Sequence, residues 1–302
     1  MMRITQNMLN NNMLYYLGNS WQRMERLQEM LSTGKKISKP SHDPIVASRG
    51  MLFRTNFSEI EQFRSNTDEA MSWLTQTESA VGEGIDILLR VKELLTQAAN
   101  DTNGREERQK IATEIRQLRD QLGSVANTTF ADKYIFNGTH TLTPPYDKTA
   151  EDLISDVNNS EIPLEVSTNV KIPINVQPDE LFKTGGSTVF AVLKNVISHL
   201  DPSPTDPPPT TADIQNDLEI IQSHIDNFLK VRASVGARMN RVELLQNRLG
   251  NQSFGTEKMI SDGEDADLAK VIIDLQTNEN VHRAALAAGS RLIQPSLLDF
   301  LR

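Results

Sequence analysis

The sequence predicts a mainly α protein: a long, coiled-coil-like helical rod bundle with a small β-rich domain inserted mid-chain. Three observations carry this. Steps of four and three residues from Phe53 pass through Phe57, Ile60, Met71, Leu74, Val81, Ile85, Leu88 and Leu95, interrupted only by Arg64, Thr67, Glu78 and Lys92. The same stepping returns from Ile214 through Ile221, Ile225, Phe228, Val235 and Val242 to Leu249. Apolar seams sustained over so many heptads belong to paired helices rather than to a single globular one. Between the two seams the texture breaks down into proline, glycine and short alternating runs.

Taken in order, residues 1–34 form a first arm, with Leu14, Leu17, Trp21, Met24, Leu27 and Leu31 at helical spacing and Gly34 where a C-terminal cap belongs. Asp43 reads as an N-cap with Pro44 at the first helical position, so the long rod starts there. At about 1.5 Å per residue, 44–100 would run roughly 80 Å. The turn formers of 100–104 end it, and a helix to about Asn127 folds back antiparallel, with Ile111, Ile115, Leu118, Leu122 and Val125 on one face.

From Thr141 the insert begins. Leu164–Val166 and Val170–Val176 alternate as strands do, Val189–Leu200 reads as a short helix, and the Pro-rich run Asp201–Thr210 reads as a stiff linker. The second rod starts near Thr211. Residues 251–261 look less regular, and Ser261-Asp262-Gly263-Glu264 has the spacing of a capping box that restarts a helix before Leu268. The organisation expected is therefore terminal arms (1–43 with 261–302), a rod (44–140 with 211–260) and an outer insert (141–210). Residues 1–40 carry six Lys/Arg against two Asp/Glu, +4, and residues 261–302 carry four against seven, −3. Opposite signs favour pairing of the arms, although each exposed pair contributes only about 0.2–1 kcal/mol.

Composition narrows the function. A net charge of −9 and 5% aromatic residues argue against nucleic-acid or anionic-membrane partners and against aromatic-lined ligand clefts. No apolar run approaches the roughly 18–20 residues that span a bilayer. The chain has no cysteine, so disulfides and thiolate metal sites are excluded. The five histidines show no i, i+4 pair, the acidic cluster Asp262, Glu264, Asp265, Asp267 departs from a calcium loop and reads as a solvated helix start, and Gly185-Gly186 has no phosphate-loop frame. No catalytic, cofactor or metal residues can be assembled, and the protein is expected not to be an enzyme.

Several stretches resemble the flagellin superfamily, the helical axial proteins of the bacterial flagellum: Leu31-Ser-Thr-Gly-Lys-Lys-Ile37, Gln76-Thr-Glu-Ser-Ala80 and Glu93-Leu-Leu-Thr-Gln-Ala-Ala-Asn100. Within it, Lys39-Pro-Ser-His-Asp-Pro44, Asn127–Gly138, Val166–Phe182, Ser234-Val-Gly-Ala-Arg238 and Ser296-Leu-Leu-Asp-Phe-Leu301 are similar to the hook–filament junction family. His42, where that family usually has Asp, and the extra Met1 are departures that leave the seams intact.

The resemblance implies an extracellular structural protein of the hook–filament junction, exported by the flagellar type III system without a Sec signal. It implies arms that are disordered before assembly and then self-associate in a helical or ring array. The partners it implies are the other hook-associated junction protein, flagellin and an export chaperone. The residues expected to make the arm seams are Leu14, Leu17, Trp21, Met24, Leu31, Leu268, Ile272, Leu275, Ala285 and Leu292. A flagellin is the alternative within the superfamily, and a cytoplasmic coiled-coil scaffold the alternative outside it.

Overall fold

A computed structural model describes residues 6–99, 105–155, 157–201 and 211–293. Four long helices dominate it: α1 (Gln6–Thr33), α2 (Pro44–Ala98), α6 (Thr211–Glu264) and α7 (Leu268–Ile293). Between α2 and α6 come α3 (Arg105–Ala126), four short β-hairpins and two shorter helices, α4 (Pro178–Phe182) and α5 (Val189–Leu200). The hairpins are β1 (Thr129–Phe130) with β2 (Lys133–Tyr134), β3 (Tyr146–Asp147) with β4 (Asp152–Leu153), β5 (Pro163–Ser167) with β6 (Val170–Pro173), and β7 (Lys183–Thr184) with β8 (Ser187–Thr188). All four pairs are antiparallel and, among the described residues, no ladder joins one to the next. The turn expected at 100–104, the linker at 202–210 and the terminal motif at 296–301 lie outside the described residues.

The chain divides into two compact units, residues 1–59 with 252–302, and residues 60–251. In the second unit α2 carries two buried stripes rather than one. The expected seam through Leu74, Val81, Ile85, Leu88 and Leu95 is buried, and so is a neighbouring stripe through Ala70, Trp73, Ala80, Ile87, Val91, Leu94 and Ala98. A helix with two such stripes can be sandwiched between two partners. One is α3, antiparallel, whose Glu114 accepts hydrogen bonds from Arg90 (2.8 Å) and whose Gln121 reaches Glu83 (3.1 Å). The other is α6, also antiparallel, tied by Lys92 to Gln222 (2.6 Å), Arg232 to Glu78 (2.7 Å) and Gln246 to Asp68 (2.7 Å). Gly84 lets the helices approach, since a Cβ there would meet the Phe228 ring at 2.8 Å.

The mid-chain residues bury an aromatic cluster. Phe182 stands at its centre, with ring centroids 5.6 Å from Phe136, 5.6 Å from Phe190 and 5.8 Å from Phe228, and Tyr146 stacks on Phe190 at 4.7 Å. Phe228 belongs to α6, so hairpins and long helices share one core. Gly185 and Gly186, both at positive φ, make the two-residue turn of the β7–β8 hairpin, which is their role in place of any ligand loop. Thr188 then caps α5, its hydroxyl accepting from the Ala191 amide at 3.1 Å. Ala131 and Asp132 fill the same kind of turn between β1 and β2 at positive φ without the freedom of glycine. Among the described residues, no helix is long and apolar enough to cross a membrane.

Candidate assembly interface

The first unit is built from the two chain ends, and its local geometry follows from a few residues. Gly34 ends α1 at φ 69°, its amide bonding the Met30 carbonyl at 2.9 Å. Asp43 Oδ1 accepts from the amides of Ile45 and Val46, both at 3.1 Å, which opens α2 at Pro44. Between these caps, Ser38 and Lys39 hold the loop back on Glu29 at 2.7 and 3.3 Å. The Ser38 hydrogen bond, assisted by Lys39, keeps the Glu29 carboxyl below the usual range.

The capping box expected at Ser261 does not form. Helix α6 runs without a break through 251–261 and stops at Glu264, and Asp267 caps α7, its Oδ1 accepting from the Lys270 amide at 3.2 Å. Ser261 instead donates to Asp265 Oδ2 at 2.6 Å. The physical reason is a competing partner for Glu264. Its side chain is only 9% exposed and receives Arg54 of α2 in a short ion pair, with Lys35 Nζ at 3.7 Å. It is not the solvated acid that the sequence suggests. A Cβ at Gly50 would fall on its Oε1, so the glycine makes room for the carboxylate.

The two chain ends are stitched beside it. Lys35 and Asp265 form an antiparallel bridge, flanked by Lys36 N–H to Glu264 O (2.6 Å) and Ala266 N–H to Gly34 O (2.8 Å). Lys35 Nζ lies 2.6 Å from Asp265 Oδ1, and that bond, with the Ser261 hydroxyl second, holds the Asp265 carboxyl below its ordinary value.

From this clasp α1 and α7 run antiparallel. Ser20 Oγ meets His282 Nδ1 at 3.2 Å, the Trp21 and His282 ring centroids are 5.9 Å apart, and the end of Met13 fills the space a side chain at Gly289 would take. The covered positions step by four and three: Met13, Leu17, Ser20, Met24 and Leu27 on α1, and Val271, Leu275, Asn278, His282, Ala285 and Gly289 on α7.

Of the expected seam residues, Met24 is buried in this pair, and Leu17, Leu275 and Ala285 are half-buried. Leu14, Trp21, Leu31, Leu268 and Ile272 are exposed, and the side chain of Leu292 lies outside the described residues. Three of the exposed ones follow a pattern that Leu286 shares. Leu14 and Trp21 sit one residue past covered positions of α1, and Ile272 and Leu286 one residue past covered positions of α7. In an antiparallel pair those offsets flank the same side, so the arms carry an inner seam and, beside it, an open apolar stripe. Ser20, Asn278, His282 and Gly289 are seam residues that apolar periodicity could not find. The opposite charges of the two ends were the available signal for the Lys35–Asp265 contact.

Among the described residues, no group of three or more His, Cys, Asp or Glu could hold a metal ion.

The N-terminal helical region of bacterial flagellin matches residues 4–141, and the flagellin C-terminal helical region matches residues 218–301. Together they span well over half of the chain. The chain belongs to the bacterial flagellin superfamily. Within that superfamily, it is 27% identical over 282 residues to flagellar hook-associated protein 3 of Escherichia coli K12, covering 88% of this chain and 89% of the relative. It is 25% identical to the flagellin of Bacillus subtilis 168 over all of both chains. Its fold matches that of flagellar hook-associated protein 3 from Legionella pneumophila with a TM-score of 0.63 at 16% identity, over 70% of this chain and 98% of the other. The two family matches leave residues 142–217 between them, which hold three of the four hairpins.

Proposed function

We propose that the protein is a structural subunit of the bacterial flagellum, of the hook-associated protein 3 type, that joins hook to filament. The observation that carries the placement at this joint is the likeness to the E. coli hook-associated protein over nine-tenths of both chains. Its working surface in this reading is the open stripe of Leu14, Trp21, Ile272 and Leu286, which a neighbouring copy would cover as the arms self-associate. The inner seam is thin: among the described residues only Met24, Val271 and Gly289 are buried in it, so the isolated arm pair has little to hold it and gains its order on assembly.

The other hook-associated junction protein would be the neighbour on the hook side and flagellin the neighbour on the filament side. A chaperone would cover the C-terminal arm before export through the flagellar type III channel to the cell exterior. The long helices of α2 and α6 would carry load across the joint.

A strain lacking the gene tests the reading. Hooks without filaments, with flagellin shed as monomer into the medium, support it. Filaments missing because flagellin itself is missing would support the second reading, a filament subunit, which the full-length likeness to the B. subtilis flagellin favours. Normal filaments would overturn both. The arm stripe has its own test: Leu14→Ser with Trp21→Ser should abolish filament attachment while leaving the fold of the monomer intact.

A further inference from the structure

His224 of α6 takes no part in the assembly reading, yet it is wholly buried. It borders a small cleft of about 250 Å³ together with Thr184, Val192, Asn195, Asp217 and Ile220. Among the described residues no group hydrogen-bonds either ring nitrogen, and the Thr184 hydroxyl in the same cleft is equally unpartnered. A neutral imidazole can tolerate such a place at some cost. An imidazolium, with two N–H donors and a charge, would need acceptors or a counter-ion, and neither ring nitrogen has a bonded partner there.

Of the ionisable groups on the elements around it, Lys194 of α5 is exposed, Lys183 of β7 pairs with Asp179 at 2.6 Å, and three more are engaged elsewhere. Asp217, two helical turns earlier on α6, has its carboxylate 2.7 Å from His199 Nδ1 of α5. Lys92 on α2 donates to Gln222 at 2.6 Å, and Arg116 on α3 pairs with Asp201 at 2.9 Å.

We propose that His224 makes the α5–α6 joint an acid-sensitive latch, at which uptake of one proton destabilises the unit formed by residues 60–251. Desolvation lowers the imidazole from 6.5 to about 4 in the folded chain. The unfolded chain therefore binds the proton from pH 6.5 downwards and the folded one only near pH 4, so stability is full above pH 6.5 and is lost as pH falls through that window. With these two values the folding equilibrium constant drops roughly 80-fold between pH 8 and pH 4.5. Burial raises Asp217, despite His199, so that group acts in the opposite sense and gains stability on protonation. The test must therefore isolate His224.

Trp73 is buried in the same unit against Phe130, and the other tryptophan, Trp21, lies in the first unit. The full chain carrying Trp21→Phe reports the second unit alone by its emission. Urea unfolding would be followed between pH 8 and 4.5 with and without His224→Leu. Since all carboxylates titrate in both, the difference in slope belongs to His224. An excess loss of roughly 80-fold in the parent supports the latch, and equal pH slopes would overturn it. Should His224→Leu fail to fold, the proton resonance of the His224 ring in the unaltered chain decides: a ring still neutral at pH 5 supports the proposal, and one titrating near 6.5 sinks it.

Discussion

The clasp at Glu264 predicts an asymmetry between removing an anion and removing its cations. The carboxylate is 9% exposed, whereas Arg54 is 61% and Lys35 38% exposed. In Glu264→Gln the exposed Arg54 turns to water and Lys35 keeps Asp265, so the loss is that of the ionic hydrogen bonds to Glu264 alone, about 1–2 kcal/mol. In Arg54→Ala with Lys35→Ala the carboxylate stays in its pocket without a counter-charge, which costs about 3–5 kcal/mol. The triple variant removes the stranded charge and should recover most of that loss, short of the Lys35–Asp265 contact that it also lacks.

Hydrogen exchange at the amides of Lys36 and Ala266, which form the ladder beside the clasp, reads this locally. Exchange should quicken about 10-fold in the single variant and about 150-fold or more in the double, since each 1.4 kcal/mol is a factor of ten. A double variant that exchanges no faster than Glu264→Gln would show that the carboxylate is not held away from water, and the reasoning would fail.

Other consequences are as specific. Gly50→Ala should be neutral or destabilising in the parent, because its Cβ displaces Glu264, but stabilising by about 1 kcal/mol in a Glu264→Ala background, where only helix propensity remains; thermal unfolding of the four chains measures the sign change. Phe182→Ala removes the hub of the aromatic cluster and should cost about 3–5 kcal/mol in urea unfolding followed at Trp73. Ala131→Gly relieves a left-handed backbone at φ 49° and should stabilise by about 0.5–1 kcal/mol, read as a raised denaturant midpoint at unchanged slope. If the free arms are weakly held, brief proteolysis of dilute protein should remove about 40 residues from each end before it attacks the rest. Arms as resistant as the other helices would contradict the thin seam.

Much of the helical framework was legible because long heptad runs and caps are local signals. The Gly34 stop, the Asp43-Pro44 start and the helix at 189–200 needed only their own residues. The second stripe of α2 was not evident, because Trp73, Ala80 and Ala98 look unremarkable until α3 and the aromatic cluster press against them.

The arms show the limit most clearly. They hold more apolar residues than one seam can use, so periodicity selected Leu14 and Trp21 while the fold covered Ser20, His282 and Gly289, whose small or polar side chains suit a close antiparallel approach. The helix end at Glu264 was hidden for a related reason. A capping box is read from four neighbours, but the partner that decides the matter, Arg54, is 210 residues away in sequence.

That distance has a temporal meaning. Lys35 and Asp265 are 230 residues apart, so the clasp closes almost the whole chain into a loop, and closing such a loop from an unstructured chain costs about 5 kcal/mol of entropy. The unit of residues 60–251 is compact by itself and can form beforehand, shortening the effective loop to what lies outside it. Folding is then expected to be sequential: a chain delivered N-terminus first would complete its middle, wait for its last 40 or so residues, and only then fasten its two ends together.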